Sequence, residues 1–221
     1  MPRIDTRRPD ERSASRNAGR RVLNAGSGSR SARQVNGLFR GSGWREVRID
    51  VDARTQPDVV GSITDMADFD DASFDAIWSS HVLEHLYGHQ VPEALAEFRR
   101  VLRTDGFAVL SSPDLEAVAR ALLDRGIDHV IYVSPAGPIT PLDVLYGHRA
   151  SIERGQHSMA HRTGFTCDTL GELALEAGFS EVVATRHGYD LWVLALKEDA
   201  DRNEIKRQLA LSGLEVFAEA E

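Results

Sequence analysis

Cysteine is almost missing from this 221-residue chain, where Cys167 stands alone. A single thiol makes no internal disulfide, and zinc sites built on paired cysteines are excluded with it. Lysine is scarce too: of 26 basic residues only Lys197 and Lys206 are not arginine. No stretch approaches the ~18 consecutive apolar residues that a membrane helix needs. The opening run MPRIDTRRPDERSASRNAGRR holds no apolar segment, so no secretory leader is expected, and the expected compartment is a reducing cytoplasm. What is present is ordinary for a globular protein: 42% hydrophobic and 27% charged residues, which excludes disorder throughout.

Positive charge is also short over most of the chain. Residues 1–21 carry seven arginines against Asp5, Asp10 and Glu11, a balance of +4, so the total of −8 leaves −12 on the rest. An acidic body lacks the basic face that displaces counterions from nucleic acid, and neither nucleic acid nor membrane is an expected partner. The length suits one domain with extensions. We expect a basic solvated leader over 1–19, the folded domain over 20–197 and an acidic tail over 198–221. That tail has only a weak apolar face at Ile205, Leu209 and Leu211. Nothing in the sequence sets an oligomeric state.

Between the extensions, strands and helices alternate. Strand patterns occur at Arg21–Ala25, Glu46–Asp52, Val59–Ile63, Phe74–Ser79 and Phe107–Ser112, the last after an Asp105-Gly106 turn. Helical patterns occur at Ser31–Arg40, at Pro92–Arg103, and from the cap Asp114 to about Arg125. From Gly126 to Gly164 the periodicity fades, which marks 126–165 as an insertion. A helix follows over Asp168–Ala177, stopped by Gly178. Glu181–Arg186 and Leu191–Lys197 then flank a hairpin turn. The expected fold is therefore α/β: a Rossmann-like, seven-stranded, mostly parallel sheet with an antiparallel terminal hairpin and helices on both faces.

The sharpest motif is VLNAGSGSR, Val22–Arg30, which puts Gly26 and Gly28 directly after the first strand. Glycines let the backbone turn tightly and approach a ligand, and the following amides suit an anion. Asp50 and Asp52 close the second strand, where a carboxylate can accept both hydroxyls of a ribose. Together they point to an adenosine-containing cofactor.

Four segments, VLNAGSGS, VRIDVDARTQPDVVGSITDM, SFDAIWSSHVLEHL and EFRRVLRTDGFAVLSSP, resemble the class I S-adenosylmethionine-dependent methyltransferases, near their type 11 small-molecule group. The likeness covers about residues 20–197. It implies S-adenosylmethionine as cofactor and a small-molecule acceptor with an oxygen or nitrogen nucleophile, in some cases anionic. It implies Gly26 and Gly28 beside the methionine and ribose, Asp50 on the ribose hydroxyls and Asp52 as its neighbour. Ser62 and Ile63 would frame the adenine, with Asp65 and Met66 close by. Ser79, Ser80 and His81 would face the methionine and the transferring methyl. The sequence departs from the family at Asn24, where an acid is usual, and at Arg30, where a third glycine is common. Asn24 can still accept a hydrogen bond, and Arg30 can pair with the methionine carboxylate. These departures motivate a rival reading, a non-catalytic binding protein on the same fold.

Histidines supply the remaining chemistry. His81, at the end of the fourth strand, and His148 and His161, in the insertion, are the candidate proton acceptors. The insertion also carries His157, Arg149, Arg154 and Arg162, a set suited to an anionic acceptor. His81-Val82-Leu83-Glu84-His85 fits the H-x-x-E-H pattern of a zinc helix, but it sits where the family has its own loop. Glu84 and His85 are expected to be a hydrogen-bonded pair in the pocket wall, and no metal is expected. Cys167 reads as an inert residue at a helix start.

Overall fold

A computed structural model describes residues 19–29 and 35–218. Seven strands form one sheet: β1 (Arg20–Ala25), β2 (Trp44–Asp50), β3 (Val59–Val60), β4 (Phe74–Ser80), β5 (Leu102–Pro113), β8 (Glu181–His187) and β9 (Asp190–Leu196). Their order is β3-β2-β1-β4-β5-β9-β8, with the first five parallel and β9 and β8 antiparallel. Reversal at β1 and β4 places the carboxyl ends of β1, β2 and β4 around one crevice, where open α/β sheets take ligands. Asp105-Gly106 does not interrupt the fifth strand but forms a bulge within it, where the register against β4 shifts.

The two faces are covered by different means. On one, α1 (Val91–Val101) buries Val91, Ala94, Leu95, Phe98 and Val101, the stripe that a 3.6-residue period demands. Beside it α5 (Cys167–Glu176) buries Leu170, Gly171 and Ala174 and is capped by Thr166. Cys167 opens that helix buried, and burial raises its thiol pKa, so it is a protonated, unreactive side chain.

On the opposite face the expected helix over Ser31–Arg40 is reduced, within the described residues, to one 3₁₀ turn at Gly37–Arg40. Cover comes instead from the C-terminal segment. There α6 (Arg202–Leu211) and the chain after it lay Ile205, Leu209, Leu214 and Phe217 against Val22, Ala76, Trp78, Phe107 and Leu194. The acidic tail is thus a layer of the domain, fastened to the 3₁₀ turn by Ser212 Oγ donating to Asn36 Oδ1 at 2.6 Å. We expect Leu209→Ala, at a fully buried site, to cost about 2–5 kcal/mol. Leu211→Ala, at a position 76% exposed, should stay within about 0.5 kcal/mol. Urea denaturation of the two variants checks the pair.

The insertion has structure of its own. Its hairpin of β6 (Tyr132–Ser134) and β7 (Gly137–Ile139) stands apart from the main sheet. Preceding the insertion, α2 (Leu115–Arg125) is capped by Asp114; within it lie α3 (Pro141–Tyr146) and α4 (Arg149–Glu153).

Candidate active site

The turn after β1 is tied to the end of β2. Gly26 N and Ser27 N both donate to Ile49 O, at 3.0 and 3.1 Å. Gly26 and Gly28 lie at φ +66° and +56°, and a Cβ on Gly26 would fall 2.4 Å from Val82 Cγ2. The backbone here tolerates only glycine. Asp50 is oriented by two amides: Gly28 N donates to Oδ2 and Asp52 N to Oδ1, each at 2.8 Å. A carboxylate has about four acceptor positions, so Asp50 keeps capacity for two further donors. The buried Arg48 guanidinium donates to Gly28 O and Gln56 O and braces the turn from behind. Arg48 was not apparent as a candidate, because its alternation with Val47 and Ile49 reads as an outward, solvated side chain.

Other expected cofactor residues fall into different places. Asp52 caps a 3₁₀ turn and holds Arg54 through both carboxylate oxygens, so its charge is already committed. Asn24 is corrected as an open acceptor: it is buried, and its amide donates to Glu46 Oε1 at 2.7 Å. Met66 is also corrected, since its side chain is wholly buried in the core and only its amide is used, by Glu97. Ile63 is buried in the same cluster, whereas Ser62 is half-buried and Asp65 exposed beyond β3. Arg30 lies outside the described residues.

At the end of β4, Ser80 Oγ is paired with Ser111 Oγ at 2.8 Å. Ser27 Oγ and Ser79 Oγ are buried without any hydrogen-bond partner. Orphaned hydroxyls beside the crevice, with a turn that a Cβ would fill and a pre-aimed Asp50, fit a polar ligand of the nucleoside class.

His81 follows at φ +56°, a left-handed conformation rare outside glycine, held by its amide to Ser111 O at 2.9 Å. Its Nδ1 lies 3.3 Å from Glu84 Oε1 and its Nε2 3.5 Å from Asp190 Oδ1. Asp190 reaches it because β9 starts opposite Pro113, at the carboxyl end of β5. Desolvation lowers the pKa of the imidazole, but Asp190 and then Glu84 outweigh it and raise it to about 10. The expectation of His81 as a base is therefore corrected: it carries its proton at neutral pH and can donate but not accept.

Glu84 and His85 lie in a 3₁₀ turn, not in the long helix that a zinc-helix motif requires. The fully buried Glu84 carboxyl is disfavoured by desolvation yet stays ionised, because His81 more than compensates. Its Oε2 accepts from Ser112 Oγ at 3.2 Å, and its backbone carbonyl accepts from Arg162 N and Thr163 N of the insertion. His161 therefore comes back beside this turn, with its ring centroid 4.9 Å from that of His85. Burial pushes its pKa down and keeps it neutral. His148 lies apart from this group, with Nδ1 on Ser151 Oγ at 2.8 Å.

The insertion's arginines are largely occupied. Arg149 serves Asp143, Arg154 donates to Ser151 Oγ, and Arg162 lies 4.8 Å over the Tyr87 ring. Asp143 also accepts from the Thr140 amide and hydroxyl, at 3.0 and 2.7 Å. Desolvation raises its pKa, but Arg149 and Thr140 outweigh that and hold it well below the usual carboxylate range. A depressed carboxylate contributes stability above its unfolded pKa of ~3.9 and loses it as pH falls through the folded value. We expect wild type to exceed Asp143→Asn in stability by a constant margin at pH 5–7 and by a shrinking one toward pH 3. Denaturant midpoints across that range test it.

Residues 25–110 match the family model described as a methyltransferase domain. The chain belongs to the class I S-adenosylmethionine-dependent methyltransferases. The fold is shared with solved relatives. The 1,6-didemethyltoxoflavin-N1-methyltransferase of Burkholderia thailandensis, solved with its namesake ligand and S-adenosylhomocysteine, is 20% identical, with 86% of this chain and 76% of that one covered at a TM-score of 0.51. A SAM-dependent methyltransferase of Archaeoglobus fulgidus is 14% identical, with coverage of 84% and 90% and a TM-score of 0.55. A possible histamine N-methyltransferase of Thermotoga maritima is 15% identical, with coverage of 80% and 82% and a TM-score of 0.51. No curated protein matches the sequence. The methyltransferase takes S-adenosylmethionine as its cofactor, and among its described residues no helix is long and apolar enough to cross a membrane.

Proposed function

We propose that this methyltransferase modifies a small molecule at an oxygen or nitrogen atom, taken up between the insertion and the loop after β4. The observation that carries this reading is the seating of the insertion. Its chain returns across the carboxyl end of the sheet, where Arg162 N and Thr163 N meet Glu84 O, and Phe165 pairs with Asp114 at the end of β5. The segments on either side leave Tyr87, Tyr132, Tyr146 and Met159 exposed, side chains that offer apolar area with polar handles. The acidic body gives no comparable surface for a nucleic acid.

When bound, S-adenosylmethionine supplies a methyl group already activated on sulfur. The chain's part is then chiefly positioning, worth ~7–11 kcal/mol where alignment is good. Gly26, Gly28 and Asp50 hold the nucleoside, and Ser79 offers a free hydroxyl at the end of β4. His81, as imidazolium, donates from that strand end. A hydroxyl or ammonium acceptor must lose a proton, and His148 and His161 are the remaining candidates to take it.

Methyl-labelled cofactor, incubated with the enzyme and a cell extract split by mass, tests the proposal. Label should enter the low-mass fraction and depend on the enzyme. Label confined to protein or nucleic acid would overturn the small-molecule reading. Tight cofactor binding with no transfer to any fraction would favour the non-catalytic alternative.

A further inference from the structure

The H-x-x-E-H motif is not a zinc helix, but two of its residues join a third from the insertion. One ligand atom each of Glu84, His85 and His161 lie within 4.8 Å of one another. We propose that these three side chains bind a zinc ion that fastens the insertion to the loop after β4.

The geometry of both imidazoles supports it. His85 Nδ1 sits 3.1 Å from Ala160 O, and His161 Nδ1 2.7 Å from Val144 O. A carbonyl only accepts, so each Nδ1 carries the hydrogen, and in a neutral ring Nε2 holds the lone pair. This is the outer hydrogen bond that orients ligating histidines. The carboxylate is also prepared. Glu84 is 1% exposed, Oε2 is fixed by Ser112, and Oε1 receives no hydrogen bond, with His81 Nδ1 beside it at 3.3 Å. A buried, ionised oxygen without a hydrogen-bond donor costs free energy that a cation would recover.

The donor set is two imidazoles and one carboxylate, a zinc set rather than a magnesium or calcium one. Bonds of ~2.0–2.1 Å about a tetrahedral ion separate its ligands by ~3.3 Å, so the cluster must tighten by about an ångström or more. Three protein ligands leave a fourth position for water or an acceptor oxygen. Zinc on His161 occupies its lone pair and leaves His148 as the proton acceptor. The ligands come from segments about 76 residues apart in sequence, so the ion would act as a clasp between them.

Untagged full-length chain, stripped with a chelator, should be titrated with zinc by calorimetry and with cobalt(II) by visible absorption. We expect one equivalent of each metal, a cobalt spectrum of low coordination number, and a Tm that rises until one equivalent of zinc is bound. His85→Ala and His161→Ala should each weaken zinc by more than about 100-fold, beyond the 10–100-fold that loss of an outer partner costs. Their folding is checked by circular dichroism. His81→Gln and the surface control His129→Ala should retain binding. If an alanine variant fails to fold, zinc-dependent slowing of amide exchange over residues 157–163 of wild type decides in its place. Less than stoichiometric zinc in wild type, binding unchanged by His161→Ala, loss of binding in His81→Gln, or no protection of that segment would overturn the proposal.

Discussion

Replacing Gly147 by alanine should release the insertion while leaving the cofactor site in place. Gly147 ends α3 at φ +92°, a conformation that L-residues avoid. A Cβ there would stand 1.9 Å from Met159 O and 2.9 Å from Ala160 Cα. The obstacle is backbone, not a side chain that can rotate away, so the crossing strand of chain must move. We expect a local cost of at least about 3 kcal/mol, above the usual range for one strained residue. The moved segment leads directly to His161, whose amide binds Tyr146 O. Misplacement of about an ångström can cost ~100-fold in rate, so methylation should fall at least that far. Amide exchange over residues 143–162 should accelerate, and trypsin should cut at Arg149 and Arg154. Binding of S-adenosylhomocysteine should change little, because the glycine turn belongs to other strands. An unaltered exchange pattern would show that the insertion does not depend on this close crossing.

The second large effect belongs to Asp50. Its carboxylate is held by the amides of Gly28 and Asp52 with acceptor positions to spare. Two hydroxyl bonds to a charged acceptor contribute about 1.5–3 kcal/mol each, so Asp50→Ala should weaken S-adenosylhomocysteine by ~10²–10⁴-fold. Asp50→Asn keeps one acceptor oxygen and should fall between that variant and wild type. Asp52→Ala loses a surface pair with Arg54 and should leave affinity within about 3-fold, since exposed ion pairs contribute ~0–1 kcal/mol. Calorimetric titration of the three variants separates the two acids, which the sequence alone placed side by side.

That separation shows where legibility stops. Strand alternation, the glycines after β1 and the stripe on α1 are local patterns, and each lies in the structure where it was expected. The terminal segment was harder to read because its apolar residues are split. Ile205 and Leu209 lie on α6, whereas Leu214 and Phe217 follow it, so neither piece looks amphipathic enough to be a layer of the core. Asn24 and Met66 were misplaced for a related reason. Position in a motif says that a residue is near the crevice, whereas strand pleat and packing decide whether its side chain enters it.

The charge of His81 depends on Asp190, which lies 109 positions away and arrives through the antiparallel register of β9 on β5. The pairing of His85 with His161 depends on how a segment without periodicity folds back. Neither contact has a local signature.

The central claim is that the carboxyl ends of β1, β2 and β4 form the cofactor site. A crystal structure of the methyltransferase with S-adenosylhomocysteine tests it most directly. The account predicts ribose hydroxyls on Asp50, the ligand backbone over Gly26 and Gly28, and the sulfur turned toward Ser79 and His81. A ligand bound elsewhere, or bound in this crevice with Asp50 left on Gly28 and Asp52 alone, would contradict it.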